Sequence, residues 1–405
     1  MIKIISTAST KIILLILSLI TSIFSARFLG PDIKGNIFFW TNTVDFIIQY
    51  SNLGMQASNI YFLGRKKVNP SLLASNTLIM SAISTVIFSI IILSFISLSN
   101  AEIISKSSLF LIVTLLSFAR LLNYLGLNFY IGLGLIQKYN FFELMVKAIC
   151  TLALLISCIL TKDPIQILWI LALTNVSCLF IIYFGISNKI RIIKPNLRVF
   201  FNGFNYNLKS YIACGFGSII PMVGSFILKP NISSTDFGYW SLSTQLFQGL
   251  IIIPTSLSLV IRPRLMRSKK PRLLMNRYIS FNLIASSIIS ILFLFFGQST
   301  INFLFGSRYS SVYNLLIYLL PGFFSLSIFT LISSFLASIG KLKEEILIWF
   351  LSLLLHCTIS FILLPFMGGN GINLSLSLSY IAGLIMLYKI STKKYLEKRS
   401  IEETF

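Results

Sequence analysis

Acidic side chains are scarce in this 405-residue chain, with 11 Asp and Glu against 33 Lys and Arg. Charged residues of every kind reach 11%, where a soluble domain carries roughly 25%. That shortage excludes a water-soluble fold. Histidine occurs once, and the five cysteines (Cys150, Cys158, Cys178, Cys214 and Cys357) fall inside apolar stretches without paired spacing. They read as small hydrophobes, and neither disulfides nor a metal site is expected. The acidic residues stand singly apart from Glu344-Glu345 and Glu402-Glu403, and no nucleophile or metal constellation accompanies them. The expectation is therefore a non-enzyme with no cofactor. Missing too is any polar segment long enough for a soluble domain.

What fills the chain instead is apolar: 56% of residues are hydrophobic and mean hydropathy is +0.88. Runs of about 20 residues, the length that crosses a hydrocarbon core of about 30 Å, recur from end to end. They predict helices near 8–26, 36–56, 72–98, 108–131, 142–161, 164–187, 205–228, 237–260, 278–297, 312–339, 346–366 and 372–388. Lys3 and Lys11 ahead of the run from Ile12 to Phe24 and Ser25-Ala26 have the look of a signal peptide, and are read here as a retained first span. The net charge of +22 is not gathered on one soluble face, as a nucleic-acid binder requires, so no nucleic-acid partner is expected.

The basic residues sit in short loops and alternate. Twelve spans place 24 of the 33 on one side, densest from Arg262 to Arg277, and six on the other: Arg27, Lys34, Lys106, Lys162, Lys229 and Arg308. By the positive-inside rule both termini are cytoplasmic. Loops on the outer side are all short, which counts against a periplasmic glycan polymerase. Shifting the chain by 203 residues lays Gly35 on Gly238 and Lys66-Lys67 on Lys269-Lys270, with one helix between glycine and basic pair in each half. The expected organisation is a six-helix lobe over 1–187, a basic cytoplasmic linker over 188–204, a second six-helix lobe over 205–388 and a charged cytoplasmic tail over 389–405. The fold class is an all-α membrane protein of about twelve spans in two pseudo-symmetric lobes around a central cavity.

A run of short motifs gives this pattern a family likeness. Arg27-Phe28-Leu29-Gly30-Pro31 follows the first span, with Gly35 close behind, and Asn52-Leu53-Gly54 leads into Tyr61-Phe62-Leu63-Gly64-Arg65-Lys66-Lys67. Phe237-Gly238-Tyr239-Trp240-Ser241 opens the second half, whose first long span after it ends in Arg262-Pro263-Arg264-Leu265. Phe305-Gly306-Ser307-Arg308-Tyr309 and Leu364-Pro365, with Gly368, Gly369 and Gly371, come late. In this order, over nearly the whole chain, they resemble the Wzx-type polysaccharide flippases, in the superfamily that also holds the MATE exporters. The resemblance implies translocation of an undecaprenyl-diphosphate-linked oligosaccharide, an O-antigen unit or similar, from the cytoplasmic to the periplasmic leaflet of a bacterial inner membrane. The partners it implies are that lipid-linked glycan, the bilayer, a polysaccharide polymerase and a chain-length regulator. A coupling ion, H+ or Na+, would drive the cycle.

Ionisable groups inside spans are costly and mark cavities or partners. Arg120 lies mid-span with Ser117, Asn123, Tyr124 and Asn128 on or beside its face, and its planar fork suits a diphosphate better than lysine does. Asp45 shares a face with Asn42, Gln49 and Asn52, and could pair with Arg120 or take the coupling ion. Glu143 and Lys147, one turn apart, are ordered for a helix ion pair. Lys209, beside Asn205 and Asn207, could meet the diphosphate first, and His356 could carry a coupling proton or simply bond a hydroxyl. The substrate set expected is thus Arg120, Lys209, Lys147, Asn123 and Asn128, with Asp45, Glu143 and His356 as ion-coupling candidates. Two alternatives stay open: a MATE-like antiporter expelling an organic cation, for which acidic groups would dominate the cavity, and a membrane polymerase or glycosyltransferase.

Overall fold

The computed structural model describes residues 2–65, 68–99, 107–187, 190–191, 193–267, 271–338 and 342–402. Among these the regular elements are helical: α1 (Ile2–Ser51), α2 (Met55–Gly64), α3 (Pro70–Ser99), α4 (Ser107–Gly132), α5 (Ile136–Leu160) and α6 (Pro164–Ile186), then α7 (Leu197–Leu228), α8 (Ser234–Arg267), α9 (Pro271–Phe305), α10 (Val312–Ile317), α11 (Leu320–Ser338), α12 (Leu342–Met367) and α13 (Gly369–Glu402). The chain divides into two compact units, Met1–Tyr211 and Ile212–Phe405, with the division inside α7.

Nine of the described helical stretches are long and apolar enough to cross a membrane. One of them, Ser9–Ser51, holds two of the twelve expected spans, and α7 and α8 at 32 and 34 residues exceed the about 20 that a span needs. The protein is therefore a multi-pass membrane protein. Its outward faces agree. Along α9, Phe281, Ile284, Ile288 and Ile291 are each more than half exposed and Phe295 reaches 78%, an apolar surface that water would not tolerate and that lipid solvates.

The structure corrects the sequence reading at the first loop. No loop separates the first two spans; α1 is two helices joined directly at a kink at Gly30, whose φ of 75° and ψ of 173° no helix contains and few side chains permit, followed by Pro31. The break is sharp. Lys34, expected in an outer loop, is buried, and its Nζ donates to Ser22 O at 2.9 Å and Ser22 Oγ at 3.1 Å. In a straight helix twelve residues rise about 18 Å, farther than a lysine reaches, so the contact exists only because the chain turns at Gly30. The second span also ends earlier than expected, at Ser51 rather than near 56. Asn52, Leu53 and Gly54 turn the chain, with Leu53 at a left-handed φ of 45°, and α2 follows as a separate short helix that the apolar windows did not resolve.

Within lipid the hydrophobic effect does not drive helices together; small residues that allow close approach and polar side chains that bond across do. Both devices recur in each unit between the fourth span and the sixth. In the first unit α4 packs on α6, and Asn123 Nδ2 donates to Asn175 O at 3.0 Å. In the second, α11 packs on α13, where Gly322 N donates to Ser377 Oγ at 3.1 Å and Ser377 Oγ donates to Tyr318 O at 2.6 Å. A Cβ on Gly322 would stand 2.7 Å from Ser377 Oγ and 3.0 Å from Ser377 Cα, which is backbone and cannot swing aside. Gly322→Ala is expected to wedge α11 from α13 and cost about 2 kcal/mol. Thermal melting of the purified protein in detergent reads this, and an unchanged melting temperature would refute the close packing.

Candidate functional site

The interior of the first unit gathers charge. Its second half of α1, from 33 to 51, carries no exposed residue, whereas the first half presents Ile12, Ile13, Ile16, Leu19, Phe24 and Phe28 outward. Asp45 sits on that inner half, and Arg120 on α4 meets it: Nη1 lies 2.9 Å from Asp45 Oδ1. This is one of the two roles the sequence left open for Asp45. The pair is not sealed, since the side chains keep 42% (Asp45) and 35% (Arg120) of their exposure. A carboxylate opened to hydrocarbon is heavily penalised, so the space in front of it is aqueous.

Lys147 on α5 is the third member, within electrostatic range of both Asp45 and Arg120. Two cations and one anion leave the trio with a formal charge of +1. Cys150, one turn beyond Lys147, also lies in the field of Arg120 and Lys147 and shares a thiol hydrogen bond with Cys178 on α6. Sequence spacing missed that pairing, because the two cysteines lie 28 residues apart and come together only when α5 packs on α6. Cys214 lies outside the described side chains.

Glu143 is not the partner of Lys147. Its Oε1 takes Lys11 Nζ at 2.6 Å and the Tyr139 hydroxyl at 2.9 Å, so the expected helix pair is replaced by one across α1 and α5. The reason is competition: Lys11 and Tyr139 close on one carboxylate from two helices, and Lys147 is left in the field of Asp45. Glu143 is thereby placed in a different cluster from Asp45. Asn123 and Asn128 do not join Arg120 either. Both are buried, Asn123 committed to Asn175 on α6 and Asn128 Nδ2 donating to Tyr124 O at 2.7 Å. Their amides serve helix packing and backbone carbonyls, as the lack of water requires. Lys209 lies on α7, and its side chain is outside the described residues.

In the second unit His356 on α12 is 1% exposed. Its Nδ1 lies 2.9 Å from Ser375 Oγ and 3.4 Å from Ser360 Oγ, and the two serines are 2.6 Å apart. Nε2 has no hydrogen-bond partner among the described residues. Among the described residues no carboxylate contacts it, and the imidazole is held by hydroxyls. Beside it Trp240 Nε1 donates to Asn373 Oδ1 at 2.8 Å, and Asn373 Nδ2 to Leu315 O at 2.9 Å. Asn373 escaped notice in the sequence because an asparagine near a helix start is ordinary; it ties α13 to α8 and α10.

Comparison with known proteins identifies the fold. The chain has the fold of the MATE and MurJ transporters. It matches an inward-facing multidrug resistance MATE family transporter of the MOP superfamily with a TM-score of 0.75 at 12% identity, covering 96% of this chain and 95% of that one. It matches the lipid II flippase MurJ in an inward closed conformation at 0.77 and 14%, covering 94% and 86%. A variant of the Vibrio cholerae MATE transporter VcmN matches at 0.59 and 13%, covering 97% and 98%. No family model matches the sequence, and no curated protein does.

Proposed function

We propose that the protein is a flippase that carries an undecaprenyl-diphosphate-linked oligosaccharide, an O-antigen or similar surface repeat unit, from the cytoplasmic to the periplasmic leaflet of a bacterial inner membrane. The observation that carries this reading is the half-open Arg120–Asp45–Lys147 trio with its excess of positive charge inside a MATE- and MurJ-type fold. A guanidinium presents five N–H donors in a fixed fork, the geometry that phosphate oxygens accept. In this reading the protein works by alternating access, the diphosphate sits at Arg120 and Lys147, and Lys209 receives it at the cytoplasmic side. The polyprenyl tail stays in lipid. Polymerase and chain-length regulator would act on the delivered unit.

The Asp45 carboxylate, open to the same aqueous space, favours a second reading: export of an organic cation in exchange for H+ or Na+. The two separate in one experiment. In a strain lacking this chain, lipid-linked oligosaccharide is expected to accumulate on the cytoplasmic leaflet while surface polysaccharide is lost. If lipid-linked units still reach the periplasmic leaflet and polymerise, the flippase reading is wrong.

A further inference from the structure

We propose that Asp45 is a built-in stand-in for the substrate's phosphate: it occupies Arg120 in the empty protein, and protonation of Asp45 releases the guanidinium to the anion. The proposal rests on the diphosphate-linked substrate read above, and it adds how that site is regulated.

The geometry of the pair is that of a competitor and not of a sealed structural bridge. A single contact, Nη1 to Oδ1 at 2.9 Å, joins the two, and Arg120 makes no other hydrogen bond among the described residues. Most of its five N–H donors therefore remain open to a second acceptor. The two side chains keep 35% and 42% of their exposure, so an anion reaches the same guanidinium that the carboxylate holds.

Charge sets the exchange. With Asp45 ionised the trio carries +1; with Asp45 protonated it carries +2, which balances the two negative charges of a diphosphate diester. No second carboxylate takes over. The helices packed most closely against α1 are α3, α4, α5 and α6, and α7 reaches it through Tyr211. Of these α3 has no ionisable residue, α4 brings Arg120, Tyr124 and Tyr130, and α6 brings Cys178 and Tyr183. From α5 come Lys138, Tyr139, Glu143, Lys147, Cys150 and Cys158, with Glu143 held by Lys11 and Tyr139. On α1 itself stand Lys3, whose side chain is outside the described residues, Lys11, Arg27, Asp32, Lys34 and Tyr50, and Tyr211 donates to the Tyr50 carbonyl at 2.6 Å. Among these only Arg120 and Lys147 lie in the electrostatic field of Asp45.

The sign follows. A proton on Asp45 removes the competitor, so acidification strengthens anion binding. A cation exporter has the opposite sign, because there the carboxylate itself holds the substrate and a proton displaces it.

The test uses the purified full chain in lipid nanodiscs, with UDP-glucose as a soluble diphosphate diester whose two charges do not titrate near neutrality, and calorimetry at about pH 6 and about pH 8. The wild type is expected to bind more tightly at the lower pH. Asp45→Asn, or Asp45→Ser as a second neutral variant, should bind about tenfold tighter than wild type at the higher pH and equally at both, as removal of a charged competitor predicts. Arg120→Ala should lose about tenfold or more and show no pH response. Wild-type binding that weakens or stays level on acidification, or neutral variants no tighter than wild type, overturns the exchange while leaving the anion site intact if Arg120→Ala still weakens binding. If Arg120→Ala binds like wild type, the underlying diphosphate reading falls with it. A wild-type affinity that fails to rise on acidification overturns the exchange even if a substitution fails to fold, and the loss of the response in the Asp45 variants separates Asp45 from the Cys150 thiol in the same field.

Discussion

Arg120→Ala in an otherwise intact chain is expected to cut export of lipid-linked oligosaccharide by about a hundredfold or more, worth about 2.7 kcal/mol, and Arg120→Lys by about tenfold, worth about 1.4 kcal/mol. The difference between the two variants is the informative part. Lysine keeps the charge and loses the planar fork, so it attracts the diphosphate as a point charge without fixing the orientation of two oxygens at once. Alanine loses both, and leaves Lys147 alone to face the substrate beside an unpaired Asp45. The measurement is the leaflet distribution of the lipid-linked unit, read with a membrane-impermeant probe in spheroplasts, alongside the level of each variant in the membrane. Equal export by lysine and arginine would mean that Arg120 supplies charge only. Export unchanged in Arg120→Ala would remove the residue from the transport path.

The second large effect concerns stability and separates it from transport. Arg120→Ala strands the Asp45 carboxylate inside the first unit, where the nearest remaining cation is Lys147. Breaking a fully buried ion pair costs about 3–5 kcal/mol and an exposed one about 0–1 kcal/mol, so a pair with a third or more of its side-chain surface exposed should fall between, at about 2 kcal/mol. Adding Asp45→Asn to Arg120→Ala removes the stranded charge and should recover most of that loss. A double-mutant cycle in thermal melting therefore gives a positive coupling, while the leaflet assay shows export still absent in the double variant, because the phosphate-binding fork has not returned. A double variant no more stable than Arg120→Ala would show that the contact contributes nothing to folding. Recovery of export in the double variant would show that Arg120 serves only to neutralise Asp45.

Both results turn on a pair that sequence spacing already suggested. Asp45 and Arg120 each stand mid-span with polar residues at helical intervals, and a charge placed there must find an opposite charge or water. Legibility stopped at the choice of partner. Glu143 and Lys147 satisfy the local rule for a helix pair as well as any two residues in the chain, yet the carboxylate went to Lys11, 132 positions away. The local rule is worth only about 0.2–0.5 kcal/mol, too little to resist a lysine and a tyrosine hydroxyl delivered by packing. Asn123 and Asn128 misled for a related reason: a polar stripe on a helix faces either water or a neighbouring backbone, and the pattern is the same for both.

The sequence by itself determined that the chain lives in a membrane and which groups inside its apolar stretches are costly. These properties follow from transfer of each side chain out of water and from the length of helix that crosses the hydrocarbon, sums taken over neighbours in the chain. Only the tertiary structure decided that the first two spans join at a kink at Gly30 without a loop, that Lys34 is buried against Ser22, that Cys150 meets Cys178, and that Asp45, Arg120 and Lys147 form one open cluster. Each of those depends on which helices become neighbours. That choice is made by close approach at small residues such as Gly322 and by hydrogen bonds between spans, interactions whose partners lie far apart in the chain and leave no periodic mark in it.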